Sequence, residues 1–212
     1  MRIADSRLGR ELRLYADHCF WFPPAAVTRQ GSRAVWLAIM MGAFAVIWVF
    51  WGTTSLAAEM AICAVGAALV ISAVVGVAVI RRARSMPDDL ASAPPNLKLF
   101  WGSIAFEIVA AVVGINLLNQ FGQTRFDMPW LAFVVGIHFF GIGAAFHTSL
   151  HHWVGGAMCG VALASLIALP PANPSAADQV NFCDLVVGIG CAMVLWAFTF
   201  LSFLHAEKRV TR

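Results

Sequence analysis

Glu107 is flanked by Phe106 and Ile108, and no other carboxylate of this chain falls as deep inside an apolar run. If that run crosses a bilayer, an ionised side chain at its middle costs roughly 2.5–3.5 kcal/mol on insertion scales. Glu107 is therefore expected to face protein and to be protonated or paired. His138 is the polar residue that can meet it. It lies about nine residues in from Pro129, while Glu107 lies about twelve residues in from Asn119, so at 1.5 Å per residue their depths differ by about 4–5 Å. Histidine titrates near neutrality, and such a pair can act as a protonation switch that couples proton movement to passage of a small solute. The plainer reading is interhelical glue. Asn116 and Asn119, at the end of the same run, either line an entrance to this site or sit in the headgroup interface.

A second cluster is His147, His151 and His152. On a continuous helix, residues four apart share a face, so His147 and His151 would present two imidazoles to one transition metal. His18 and His205 are expected on the same side of the membrane. The pattern His-x-x-x-His-His resembles one histidine box of the membrane desaturases and hydroxylases. The resemblance covers six residues, and those families require several boxes and about eight histidines for two irons. This chain has six histidines in all, so di-iron oxidation is not expected. The metal reading is set against a polar loop at headgroup level.

The five cysteines, at 19, 63, 159, 183 and 191, are odd in number and include no Cys-x-x-Cys. Cys63, Cys159 and Cys191 read as small apolar residues. No phosphate loop, nucleophile elbow or zinc-protease helix occurs.

The elements that must position these groups follow from composition. Of 212 residues, 60% are hydrophobic and 12% are charged, against about 45–50% and about 25% in soluble domains. Such a chain cannot cover itself with polar side chains in water, and a formal charge of +3 without a basic stripe excludes nucleic-acid binding. A membrane helix needs about 20 mainly apolar residues. Six stretches qualify, at 34-52, 57-80, 99-119, 129-149, 153-170 and 182-204. The expectation is an all-α, polytopic six-helix membrane bundle over 34-204, with an N-terminal segment 1-33 and a basic tail 205-212. Within the N-terminal segment, Leu8, Leu12, Tyr15 and Cys19 recur at spacings of three and four, which predicts an interfacial amphipathic helix anchored by Phe20, Trp21 and Phe22.

Thirteen of the 14 Lys and Arg fall before span one, between spans two and three, or after span six. Arg125 alone falls opposite, which places both termini in the cytoplasm of a cell (inner or plasma) membrane. The outer side collects Glu59, Asp127, Asp178 and Asp184, either as an acidic mouth for cations or as what remains when Lys and Arg are kept inside.

Spans one and four share a pattern: Trp36, Leu37, Ala38 and Gly42 return as Trp130, Leu131, Ala132 and Gly136, an offset of 94. Gly66 and Ala68 pair with Gly160 and Ala162 at the same offset. The connections after spans two and five are both long and rich in proline. Three helices per copy would make two inverted repeats, as in many transporters. Chance remains the competitor, because these residue types are common in membrane helices. Gly156, Gly160 and Ala164, and Gly188 with Ala192, form small-residue ridges for close helix packing, within the chain or between copies in a homo-oligomer. The leading functional reading is a transporter or channel for a small or cationic solute or ion. The alternatives are a membrane metal protein or enzyme built on the histidine cluster, and a structural or partner-binding subunit.

Overall fold

The computed structural model describes the backbone of residues 30–83, 96–167 and 176–210, and side chains within 35–81, 96–167 and 181–202. Those residues are all helical apart from turns. The elements are α1 (Gln30–Gly52), α2 (Ala58–Ala83), α3 (Leu97–Gln120), a 3-10 turn (Thr124–Phe126), α4 (Asp127–Phe146), α5 (Ser149–Ile167) and α6 (Ala176–Val210). Six of these helices are long and apolar enough to cross a membrane, which implies a lipid environment and a multi-pass membrane protein. The expected amphipathic helix, both proline-rich connections and His18 lie outside the described residues, as do the side chains of the basic tail.

Each helix contains its backbone hydrogen bonds, which is what a hydrocarbon environment demands, and its ends are set by local chemistry. Asn96 caps α3 by accepting the Leu99 amide at 3.2 Å, and its own amide donates to the Ala145 carbonyl at 2.9 Å, tying α3 to the end of α4. Pro129 sits in the first turn of α4, where a missing N–H costs nothing. At 35 residues, α6 spans about 52 Å and overhangs the roughly 30 Å of hydrocarbon. It starts before and ends after the predicted span.

The packing order does not follow the chain. Helix α1 lies between α2 and α6; α6 also packs on α5 and α4, α4 pairs with α5, and α3 packs on α4 and the 3-10 turn. The buried core therefore forms between α1, α4, α5 and α6, around Trp48, Phe139, Met158, Val187, Cys191 and Leu195. Helices α2 and α3 are outriggers: 6% of α3 is buried, against 44% of the segment carrying α4.

Gly52 and Gly188 bring the backbones of α1 and α6 close together. A Cβ on Gly188 would fall 2.5 Å from both the Gly52 Cα and the Trp48 carbonyl oxygen, contacts with backbone that cannot be relieved by a rotamer. Ala192, one turn on, is fully buried. Gly188→Leu is expected to separate α1 from α6 and abolish the monodisperse folded species, which gel filtration in detergent would detect. The other predicted ridge packs against nothing among the described residues. Gly156, Gly160 and Ala164 are exposed, and nothing stands within 4 Å of a Cβ added at either glycine. The packed face of α5 is shifted by one residue, through Val154, Gly155, Met158 and Ala162.

Span four also ends earlier than expected. His147 has φ 54 and ψ 41, in the left-handed region, and its amide and that of Thr148 return to the Gly143 carbonyl, terminating α4. Left-handed backbone costs a Cβ-bearing residue roughly 1–2 kcal/mol. His147→Gly is expected to stabilise the protein by about 1 kcal/mol, whereas His147→Val should destabilise it. Thermal unfolding in detergent would check both signs.

Candidate functional site

Glu107 lies 10 residues from the start and 13 from the end of α3, and His138 lies 11 and 8 residues from the ends of α4. Both therefore stand about 12–20 Å from their helix ends, near mid-depth. The two helices run antiparallel in contact. Glu107 Oε2 lies 3.2 Å from His138 Nδ1, with side-chain exposures of 29% and 10%. This brings together the two residues singled out from the sequence, at the α3–α4 seam and away from the four-helix core.

A third residue completes the cluster. Ser103, one turn before Glu107 and buried, donates its hydroxyl proton to the His138 carbonyl oxygen at 2.9 Å. Its oxygen also lies 3.1 Å from Nδ1. The space for this hydroxyl exists because residue 141 is glycine: a Cβ there would fall 2.3 Å from Ser103 Oγ. Sequence reading did not single out Ser103, although its i, i+4 relation to Glu107 put it on the same helix face.

The chemistry open to this arrangement is restricted by its geometry. In a serine–histidine–acid relay, hydroxyl and carboxylate address opposite ring nitrogens. Here both address Nδ1, and the serine proton is committed to backbone, so the cluster is not a nucleophile-activating triad. What it can do is hold a proton on a ring that faces a carboxylate, in surroundings where any unbalanced charge is costly. Along the outer side of α3 runs an apolar groove of about 730 Å³, walled by Phe106, Val109, Val113, Leu117 and Trp130, whose indole N–H donates to the Ala110 carbonyl.

The secondary candidates are engaged elsewhere. Asn116 Nδ2 donates to the Val112 carbonyl at 2.8 Å. Asn119 Nδ2 donates to the Ile115 carbonyl at 2.8 Å and contacts Asp127 Oδ2 at 3.3 Å, linking the end of α3 to the start of α4. Asn116 thus folds back on its own helix, and Asn119 ties the connection.

The histidine cluster is not gathered as a ligand set. Because α4 ends at Phe146, His147 and His151 are not i and i+4 of one helix, and the shared face predicted for them is lost. His151 Nδ1 is hydrogen-bonded to Thr148 Oγ1, and its ring is enclosed by Phe139, Phe146 and Phe198, with centroids 6.2, 6.5 and 5.1 Å away. His152 lies against Gly143 and the Phe140 ring. Among the described residues no three His, Cys, Asp or Glu side chains form a metal-holding group. His151 serves instead as an aromatic plug between α4, α5 and α6.

Comparison of the chain with known protein families, with curated proteins and with solved structures finds no match.

Proposed function

We propose that this protein is a small transporter of the cell membrane, with both termini cytoplasmic, in which Glu107 and His138 carry a proton at mid-depth and link it to movement of a small cationic solute. The observation that carries this reading is the 3.2 Å contact between a carboxylate and an imidazole at the middle of two lipid-depth helices. Intramembrane ionisable pairs of this kind serve proton relays and ion pathways.

The same proposal includes an inverted-repeat design, which two helix contacts support. With the copies taken as α1–α3 and α4–α6, the third helix of each lies on the first helix of the other: α3 on α4, and α6 on α1. One polar contact falls near the register that the offset of 94 implies. Moving the Gly52–Gly188 contact by the offset of 94 brings it to positions 146 and 94, and the Ala145–Asn96 hydrogen bond lies one or two residues away. The α5–α6, α4–α6 and α2–α6 contacts have no counterparts of similar extent in α2–α3, α1–α3 and α3–α5 among the described residues, so the relation is approximate. The distribution of Lys and Arg, thirteen against one, supports cytoplasmic termini.

One observation favours a second reading, a structural or partner-binding subunit. Helix α3 is held by α4 and the adjoining turn, so the pair also serves as the polar tie for a lightly anchored helix. Proteoliposomes bearing a pH gradient decide between them: the transport reading expects solute cations from a panel of ammonium, guanidinium and alkali ions to dissipate the gradient in a protein-dependent manner. Gradients that decay as in empty vesicles for every cation would sink it.

A further inference from the structure

We infer that Ser103 is a positioning residue that locks His138 in its Nδ1–H form, so that Glu107 is held as the accepting carboxylate and Nε2 is the ring atom that takes up and releases the proton. The inference rests on the proton-carrying role proposed for Glu107 and His138, and it specifies the route within that site.

The argument is one of donors and acceptors. The His138 carbonyl can only accept, so the 2.9 Å contact with Ser103 Oγ requires the single hydroxyl proton to lie between those two oxygens. With that proton committed, Ser103 Oγ presents lone pairs to Nδ1 at 3.1 Å. A bare Nδ1 would then set lone pair against lone pair, in a buried place where an unmatched polar contact is costly. An Nδ1–H satisfies it, and the same hydrogen is shared with Glu107 Oε2 at 3.2 Å.

The alternative in which a neutral Glu107 donates its carboxyl proton to Nδ1 needs the bare nitrogen that Ser103 forbids. Proton uptake therefore occurs at the Nε2 lone pair, giving an imidazolium with both nitrogens protonated. Its charge is balanced by the Glu107 carboxylate across the unchanged Nδ1–H bond, and release from Nε2 restores the starting state. Gly141 belongs to this device, because any side chain there would displace the serine hydroxyl.

The test is the nitrogen spectrum of full-length protein in nanodiscs, labelled with ¹⁵N-histidine, the His138 signals being those lost in His138→Gln. The expected wild-type result, under conditions where the ring is neutral, is the Nδ1–H form alone. Ser103→Ala should add the Nε2–H form, together with an infrared carboxylic-acid band that Glu107→Gln abolishes. A wild-type ring in the Nε2–H form would overturn the inference even if the variant failed to fold, and so would a Ser103→Ala spectrum identical to wild type. Vesicles that move no solute while the Nδ1–H form is found would defeat the transport reading and leave the Nδ1–H assignment and its lock by Ser103 standing.

Discussion

Glu107→Gln is expected to abolish proton-linked solute movement in proteoliposomes, by about 10²-fold or more, the scale on which removing a positioned proton-transfer group acts. The substitution is matched in size to the residue it replaces, and its amide oxygen can still accept from His138 Nδ1–H, the contact that Glu107 Oε2 makes at 3.2 Å. The seam between α3 and α4 should hold, and the variant should elute and melt like the parent to within about 1 kcal/mol. What disappears is the negative charge. An imidazolium formed at His138, which is 8% exposed, would then have no counter-ion, and a buried charge without a partner is costly. The ring would stay neutral and the site would no longer cycle. Solute-driven proton flux that survives Glu107→Gln at the wild-type rate would show that the pair is only a tie between helices, whatever its geometry.

The separation between stability and cycling matters because α3 has so few other attachments. Among the described residues its polar links to α4 and the adjoining segment include the Asn96 amide on Ala145, the Ser103 hydroxyl on His138, the Trp130 indole on Ala110, the Asn119 amide on Asp127 and the Gln123 amide on Leu118. These lie at intervals along the helix, and Glu107 adds one more near its middle. Removing its charge while keeping its hydrogen bond leaves the others in place, so a functional loss with a folded α3 can be assigned to proton chemistry.

How much of this could be read from residue order depends on the physics involved. Spans were legible because hydrophobic length is a one-dimensional property: the predicted stretch 57-80 falls, but for its first residue, within Ala58–Ala83, and 99-119 lies within Leu97–Gln120. The Glu107–His138 pair was legible for a similar reason, since adjacent antiparallel helices joined by a short turn align residues of equal depth. The end of span four was not. Nothing in the order His147, Thr148, Ser149 announces a left-handed histidine, because that conformation is ordinarily taken by glycine or asparagine. That single backbone angle removed the shared face on which the metal reading of His147, His151 and His152 depended. The face of α5 was misjudged for a different reason. Glycines at 155, 156 and 160 offer several small-residue stripes, and only packing against Gly136 and Phe140 selects the stripe through Gly155. Ser103 escaped because a serine in a membrane helix usually bonds to its own preceding carbonyls, as Ser165 does to Ala162 here. Its role becomes visible only when α4 is laid against it with glycine at 141.

His138→Leu should show what kind of pair this is. If Glu107 is ionised and the ring answers it, losing the imidazole leaves a half-buried carboxylate alone at lipid depth, and the cost should move toward the 3–5 kcal/mol typical of breaking a buried ion pair from one side. If the contact is between neutral groups, the loss should resemble an ordinary interhelical hydrogen bond in a membrane protein, about 0.6 kcal/mol on average and rarely above about 1.7. The two ranges do not overlap, so unfolding of His138→Leu in detergent separates them in one measurement. Adding Glu107→Leu sharpens the result. With both partners replaced, no unmatched charge remains, and the apolar seam beside Phe106 and Ala110 can close over leucine side chains. The double variant is therefore expected to be more stable than His138→Leu alone, by more than the roughly 1–3 kcal/mol recovered when the orphaned partner of a neutral hydrogen bond is also replaced. Strict additivity of the two substitutions would contradict an ionised Glu107, and with it the assignment of the mobile proton to the histidine.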